Sequence, residues 1–403
     1  MTGLGRRWRR YAAVTAALLL VAGVGAIAWR VLRPAAALDR SSRPYPATAA
    51  AHEPERYASL PDAPLIVQGR LRVFAEKRRV WADADVANRH QLNPYWSYRR
   101  WPGQVVGVVA IEEPAPIVVI RWSDGAVTGV DARAGRIAWE KRIAPTDAQG
   151  YTGRRTGAQT VYRPRGMYTT GRPDGAPVLV LAEPGGAAGY EPWTGARLWT
   201  RSTGCDGDTA SGGWTAGTAY VARCGDRLDI VDAGTGLPLG TWSGSDPKPW
   251  GCQLGRSGCR LVASGGTNFT VGADGAVAPA PNAPSNADFV VRNGYVDWRR
   301  DSHVGVVDAA TGRQRWRVPL RGYVVAADDN LVYLVTKTHW LVALDAATGL
   351  DRARVQIPAG RDWRAGYVYA AHGFVALERV IGREQDDDAS YYYAMSTVEL
   401  LGV

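Results

Sequence analysis

The stretch Val307-Asp308-Ala309-Ala310-Thr311-Gly312-Arg313-Gln314-Arg315-Trp316 decides the fold. An alternating apolar run, Val304-Gly305-Val306-Val307, ends at Asp308. The Asp carboxylate is placed to accept a backbone N–H two residues on, as in an Asx-turn. Gly312 supplies the positive φ that closes a short hairpin after a type I turn. Trp316 falls on the outgoing strand, where a large ring packs against a neighbouring element. The phrase therefore reads as a β-hairpin.

The phrase recurs. It is found as Val130-Asp131 through Gly135 to Trp139, and as Tyr190-Glu191 through Gly195 to Trp199. It returns as Val231-Asp232 to Gly236 and as Leu344-Asp345 to Gly349, with a worn copy around Gly275. Between copies lie two further short apolar runs, such as Leu331–Val335 and Tyr323–Val325. Four strands per ~40 residues is the signature of a propeller blade. The 47 Gly and 24 Pro among 403 residues suit tight connections.

On these residues the chain resembles the repeat of pyrroloquinoline-quinone-type β-propellers, over roughly residues 100–400. The resemblance implies an all-β fold of four-stranded blades. It is specific for fold and not for activity. Six hairpins lie between residues 105 and 357, and residues 363–400 supply a seventh set of strands. The last blade is one strand short, and residues 65–74 are expected to complete it. This predicts seven blades; eight stays open, because residues 65–102 have room for more strands.

The N-terminus has a separate logic. Arg6, Arg7, Arg9 and Arg10 precede a run from Tyr11 to Trp29 that carries no charge. Nineteen residues of helix span roughly 28 Å, near the hydrocarbon thickness of a bilayer. Basic residues before the run keep that end in the cytoplasm. The expected organisation is a cytoplasmic stub at 1–10, a signal anchor at 11–32, an Ala/Pro-rich linker at 33–64 and a propeller at 65–403. The propeller is then extracellular, on a single-pass membrane protein. A signal peptide cleaved near Ala28 or Ala37 is the alternative. The anchor, the excess of Arg over Lys and the linker resemble actinobacterial membrane-anchored propellers. Without residues 1–33 the chain carries 42 basic against 38 acidic residues, a net of +4. That mixed surface excludes a nucleic-acid stripe.

Four cysteines in an exported domain point to disulfides. Local pairing, Cys205–Cys224 and Cys252–Cys259, ties a hairpin inside each of two blades. Their spacings do not match a structural zinc site.

No complete catalytic signature is present. Resemblance to quinone enzymes would demand adjacent cysteines over the quinone, and this chain has none. His52, His90, His303, His339 and His372 are scattered, and the clusters at Asp206, Asp328 and Asp386 lack calcium-loop spacing. No catalytic residue, cofactor or metal is therefore assigned. Asp131, Gly135, Trp139, Gly195, Trp199, Asp232, Gly236, Asp308, Gly312, Trp316, Asp345 and Gly349 read as structural repeat residues. The densest candidate contact patch is Tyr95, Trp96, Tyr98, Arg99, Arg100 and Trp101, because aromatics and Arg anchor interfaces. The long interval 143–177, with Tyr151, Arg154, Arg155, Tyr162, Arg163, Arg165 and Tyr168, is a second candidate. The reading is a non-enzymatic module that binds a protein or envelope partner. A ligand or carbohydrate sensor using the central channel is the alternative.

Overall fold

In the computed structural model the described residues are 4–32, 35–49, 53–90, 93–145, 151, 156–202, 212–285, 288–359, 362–381 and 397–403. Their strands form eight antiparallel sheets arranged as blades. Blade 1 holds Leu65–Val67, Leu71–Glu76, Arg79–Ala84 and Trp96–Trp101. Blades 2 to 7 occupy residues 105–142, 167–202, 213–243, 248–279, 290–319 and 322–356. Blade 8 is built from Trp363–Ala371, Phe374–Ile381, Thr397–Gly402 and, from the other end of the chain, Arg56–Leu60. First strands touch the first strands of adjacent blades, as between blades 1, 2, 3 and 4, so they line the central channel.

Two expectations are corrected. The propeller has eight blades and not seven, because residues 65–101 make a complete blade of their own. The strand that closes the ring is Arg56–Leu60 and not a piece of 65–74. Glu399, almost wholly buried, holds that closure: its carboxylate accepts from Arg56 Nε at 2.7 Å and from Ser59 Oγ at 3.0 Å. The Ala/Pro-rich segment is thus more than a linker. Its residues Ala35–Arg40 add a fifth strand to blade 1, antiparallel to Trp96–Trp101.

The N-terminal helix runs Leu4–Leu32 and exposes Tyr11, Val14, Leu18, Leu19, Leu20, Val21 and Val24. Among the described residues no helix is long and apolar enough to cross a membrane. The transmembrane assignment of 11–32 therefore stands outside what the structure shows.

Middle strands such as Ile117–Trp122 are buried on both faces, since each blade is sandwiched between two others. Apolar clusters accordingly span seams: Val304 and Trp316 of blade 6 pack with Val324, Leu344 and Ala346 of blade 7. The repeat phrase builds these seams. In blade 6, Asp308 Oδ1 accepts the N–H groups of Ala310 and Thr311 at 3.1 and 2.9 Å. Gly312 then returns its N–H to the Asp308 carbonyl at φ +70°. The ring four residues on reaches into the next blade. Trp139 Nε1 donates to Pro192 O at 2.7 Å, Trp199 to Ala233 O at 2.8 Å and Trp316 to Ala346 O at 2.9 Å. Each ring lies flat on the next blade's repeat glycine: a Cβ at Gly195, Gly236 or Gly349 would sit 2.6–2.7 Å from it.

Blade 5, whose repeat is worn, lacks the tryptophan. Asn282 replaces it, donating from Nδ2 to Ala309 O and Ala310 O at 3.0 Å each. Trp96 is a further copy, with Nε1 donating to Ala132 O at 3.2 Å and its ring against Gly135. No Asp–Gly phrase precedes Trp96, so the repeat pattern passed over it.

Trp316→Ala removes both the indole packing and the hydrogen bond at one seam. A loss of about 3–5 kcal/mol is expected, read from denaturant unfolding monitored at two wavelengths. A change below 1 kcal/mol would show that the seam does not depend on the ring.

Candidate functional site: the central channel and its rim

Two segments of the chain enter the channel. The first is the interval after blade 2. Its short helix Ala158–Tyr162 packs on the first strands of blades 2 and 8 and on Leu71–Glu76 of blade 1. Tyr162 Oη donates to Pro64 O at 2.8 Å, and its ring stacks on Tyr369 at 5.2 Å. Thr156 Oγ1 donates to Glu378 Oε1 at 2.5 Å, and the Tyr367 N–H donates to Glu378 Oε2 at 3.0 Å. Gly157, at φ +66°, is needed here because a Cβ would lie 2.4 Å from the Ala75 carbonyl oxygen.

The second segment is the loop between the first two strands of blade 5, closed by the disulfide Cys252–Cys259. Its backbone binds inner strands of blades 3 and 4. Thr169 N–H donates to Ser257 Oγ at 3.0 Å, Thr215 N–H donates to Arg256 O at 3.0 Å, and Cys259 N–H donates to Thr215 O at 2.7 Å. Leu254 packs on the same core as Tyr162, and Gly255 abuts Tyr162 and Pro164. The two inserts thus meet against the inner strands of blades 1, 2, 3, 4 and 8, with Val161 and Tyr162 buried there and Leu254 partly so. Burial raises the phenol pKa values of Tyr162 and Tyr369, which keeps both rings neutral.

At the rim, turns of blades 8, 1 and 2 converge on Glu112. His372 Nε2 lies 2.8 Å from Glu112 Oε2, and the Gln68 N–H donates to Oε2 at 3.0 Å. Gln68 Nε2 also donates to Glu112 O at 3.0 Å, and Tyr45 Oη donates to Gln68 Oε1 at 3.1 Å. The hydrogen bond to Glu112 raises the His372 pKa, while burial opposes the shift. Tyr45 is pushed up to about 12, mainly by burial. Sequence reading missed this cluster, because Glu112 and His372 lie 260 residues apart along the chain.

The expected contact patch is not a surface. Tyr95, Trp96, Tyr98 and Arg100 are buried. Tyr95 Oη donates to Arg133 O at 2.7 Å, and Arg100 bridges Asp124 and Glu140 at 2.9 and 3.0 Å. They form the seam between blades 1 and 2, which leaves Arg99 exposed and Trp101 partly so. In the second candidate interval Tyr151, Tyr162 and Tyr168 are buried, Arg163 is exposed and Arg165 is partly so. Arg154 and Arg155 lie outside the described residues.

His303 pairs with Asp297 and His339 stacks on Trp363, each away from the rim. Asp328 caps its own turn and Asp329 bridges to Arg260; the clusters at Asp206 and Asp386 lie outside the described residues. Among the described residues no group of three or more His, Cys, Asp or Glu side chains is placed to hold a metal ion. Cys252–Cys259 is the expected pair and sits in one hairpin of one blade. Cys224 is disulfide-bonded, and Cys205 lies outside the described residues.

Residues 300–361 match the family model described as outer membrane protein assembly factor BamB. No curated protein matches the chain by sequence. Among solved structures, BamB from Moraxella catarrhalis is 13% identical, with 91% of this chain and 98% of that one covered and a TM-score of 0.48. The C-terminal WD40 domain of Sif2 is 10% identical over 88% and 99%, with a TM-score of 0.50. The computationally designed Ika8 protein is 15% identical over 86% and 99%, also at 0.50. At these identities the last two show the fold alone.

Two outcomes follow. Cys252→Ser with Cys259→Ser should cost about 2–3 kcal/mol by loop-closure entropy, lowering the melting temperature while leaving the far-ultraviolet spectrum intact. An unchanged melting temperature would show that the loop is held by its hydrogen bonds alone. For His372, the raised folded pKa sets the sign. Its stabilisation is complete below the unfolded value of about 6.5 and is lost as pH rises through the folded value. His372→Gln should therefore flatten the stability profile above about pH 6.5, measured by urea unfolding across pH. A mutant profile parallel to the wild type would sink this assignment.

Proposed function

We propose that this chain, a β-propeller of pyrroloquinoline-quinone-like repeats, is a non-enzymatic scaffold that binds a protein partner outside the cytoplasm. One observation carries the reading: the chain's own Val161, Tyr162 and Leu254 pack together where two inserts lie against the inner strands of blades 1, 2, 3, 4 and 8. A sensor ligand in the channel would have to displace side chains that are packed and hydrogen-bonded there. The outer faces and edges of the blades are then the working surface. The matching family model is described as an assembly factor, which agrees with an interaction role.

Attachment to a membrane through residues 11–32 is part of the proposal, with cleavage of that segment as the alternative. It is supported by the uncharged run Tyr11–Trp29 after four arginines and by exposed apolar side chains along the helix. Kinship with actinobacterial membrane-anchored propellers rests on the same segment and on the excess of Arg. The absence of adjacent cysteines supports a module without quinone chemistry.

Three measurements test the reading. A reporter that works only outside the cytoplasm, fused after Val403, should be active, and a cytoplasm-only reporter should be silent. Purified protein with added pyrroloquinoline quinone and calcium should show no alcohol- or sugar-dependent dye reduction. Crosslinking in intact cells should trap a protein partner on the outer faces. Steady dye reduction would replace the scaffold reading with an enzymatic one.

A further inference from the structure

An exposed outer strand is a template for another strand, and natural sheets guard such edges with charge, shortness, proline or a cover. The eight outer edges of this propeller differ in that respect. Blade 1 is covered by the chain's own Ala35–Arg40. Blade 5 ends in a strand of three residues, Val277–Pro279. The outer strands of blades 2, 3, 6, 7 and 8 carry Arg136 and Arg142, Arg197 and Arg201, Arg315 and Arg317, Arg352 and Arg354, and Arg56. Blade 4 is guarded only by Pro238, at the start of its strand. Its outer strand Pro238–Ser243 has six residues and no charge. Leu237 is 63% exposed at its start, and Thr241 and Ser243 are exposed along it.

We infer that the outer edge of blade 4 is a docking site for an extended, uncharged segment of a partner protein, added antiparallel as a fifth strand. The occupant is argued from the molecule itself. Blade 1 shows an outer edge filled in this way with its charge matched: Ala35–Arg40 pairs residue for residue with Trp96–Trp101, Asp39 meets Arg99 at 3.5 Å, and Leu38 packs on the core beneath. Blade 8 takes its fourth strand, Arg56–Leu60, from a segment distant in sequence. An edge without charge favours an uncharged occupant, because a charged one would lose hydration with no opposite charge to meet it. Pro238 has no N–H, so main-chain pairing runs over Leu239–Ser243. Exposed Leu237 offers an apolar anchor beside it. A contact of this size falls in the weak, reversible class of interfaces. The inference rests on the scaffold reading and names where its partner binds.

The test uses the purified full chain as bait for a displayed library of random twelve-residue peptides. Enriched peptides should be uncharged and should slow amide exchange within 238–243. Thr241→Lys should weaken them at least tenfold. Thr200→Lys, at an exposed position on the outer strand of blade 3, should leave them unchanged. Thermal melts of both variants check folding. Three outcomes overturn the inference: no enriched peptide, protection elsewhere than 238–243, or equal binding by Thr241→Lys. A homodimer that Thr241→Lys dissociates would also overturn it, since the occupant would be a second copy. Photo-crosslinkers at Thr241 and Thr200 in cells separate the two levels. A partner trapped only away from Thr241 keeps the scaffold and discards the edge, whereas no partner at any outer position discards the scaffold as well.

Discussion

The molecule depends on an indole that leaves its own blade. A repeat tryptophan lies flat on the next blade's repeat glycine and donates Nε1–H to a carbonyl of that turn. The contact buries a large ring, satisfies its one polar atom and fixes how two blades abut. It constrains both sides. The glycine needs a positive φ for its own turn, and it has to lack a side chain so that the ring can approach. The Asp–Gly hairpin and the interblade seam are therefore one device. Where the repeat is worn, Asn282 keeps the hydrogen bonds without the ring, and the same blade carries a disulfide-closed loop.

With the seams set by the outer strands, the centre of the ring is free to be filled by insertions. The helix Ala158–Tyr162 enters against blades 1, 2 and 8, and the Cys252–Cys259 loop enters against blades 3 and 4. They meet at Gly255. The buried carboxylate of Glu378 is tied to Thr156 and to the Tyr367 backbone and so serves to seat the plug. In the reading proposed above, inserts on the inner strands leave recognition to the rim and the outer edges. These are also the places where blades differ most from one another, as the uncharged outer strand of blade 4 illustrates.

Much of the fold was legible in the sequence, and the misreadings share a cause. Gly135, Gly195, Gly236, Gly312 and Gly349 were readable because turn chemistry is local. Cys252 and Cys259 were readable for the same reason, with six residues between them along the chain. Residues 94–102 misled because aromatics and arginines in a proline-flanked stretch look alike in an interface and in a blade seam. Which of these they are depends on whether another blade stands beside them, and here Arg133, Asp124 and Glu140 of blade 2 do. Glu112 and His372 belong to turns that only the closed ring brings together.

The sequence by itself determined the hairpin, the four-stranded unit and the repeated array, since each is a short-range matter of φ angles, alternation and turn hydrogen bonds. It also placed one disulfide. The tertiary structure alone decided the number of blades, the strand that closes the ring and which inserts pack against its inner strands. Ring closure is a global condition: the chain had to reach from Arg56–Leu60 to Thr397–Gly402, and no local pattern announces which segment will do so. Burial is likewise a property of neighbours. Trp96 became a core residue and Leu237 an exposed one through the position of adjoining blades, which side-chain type alone does not specify.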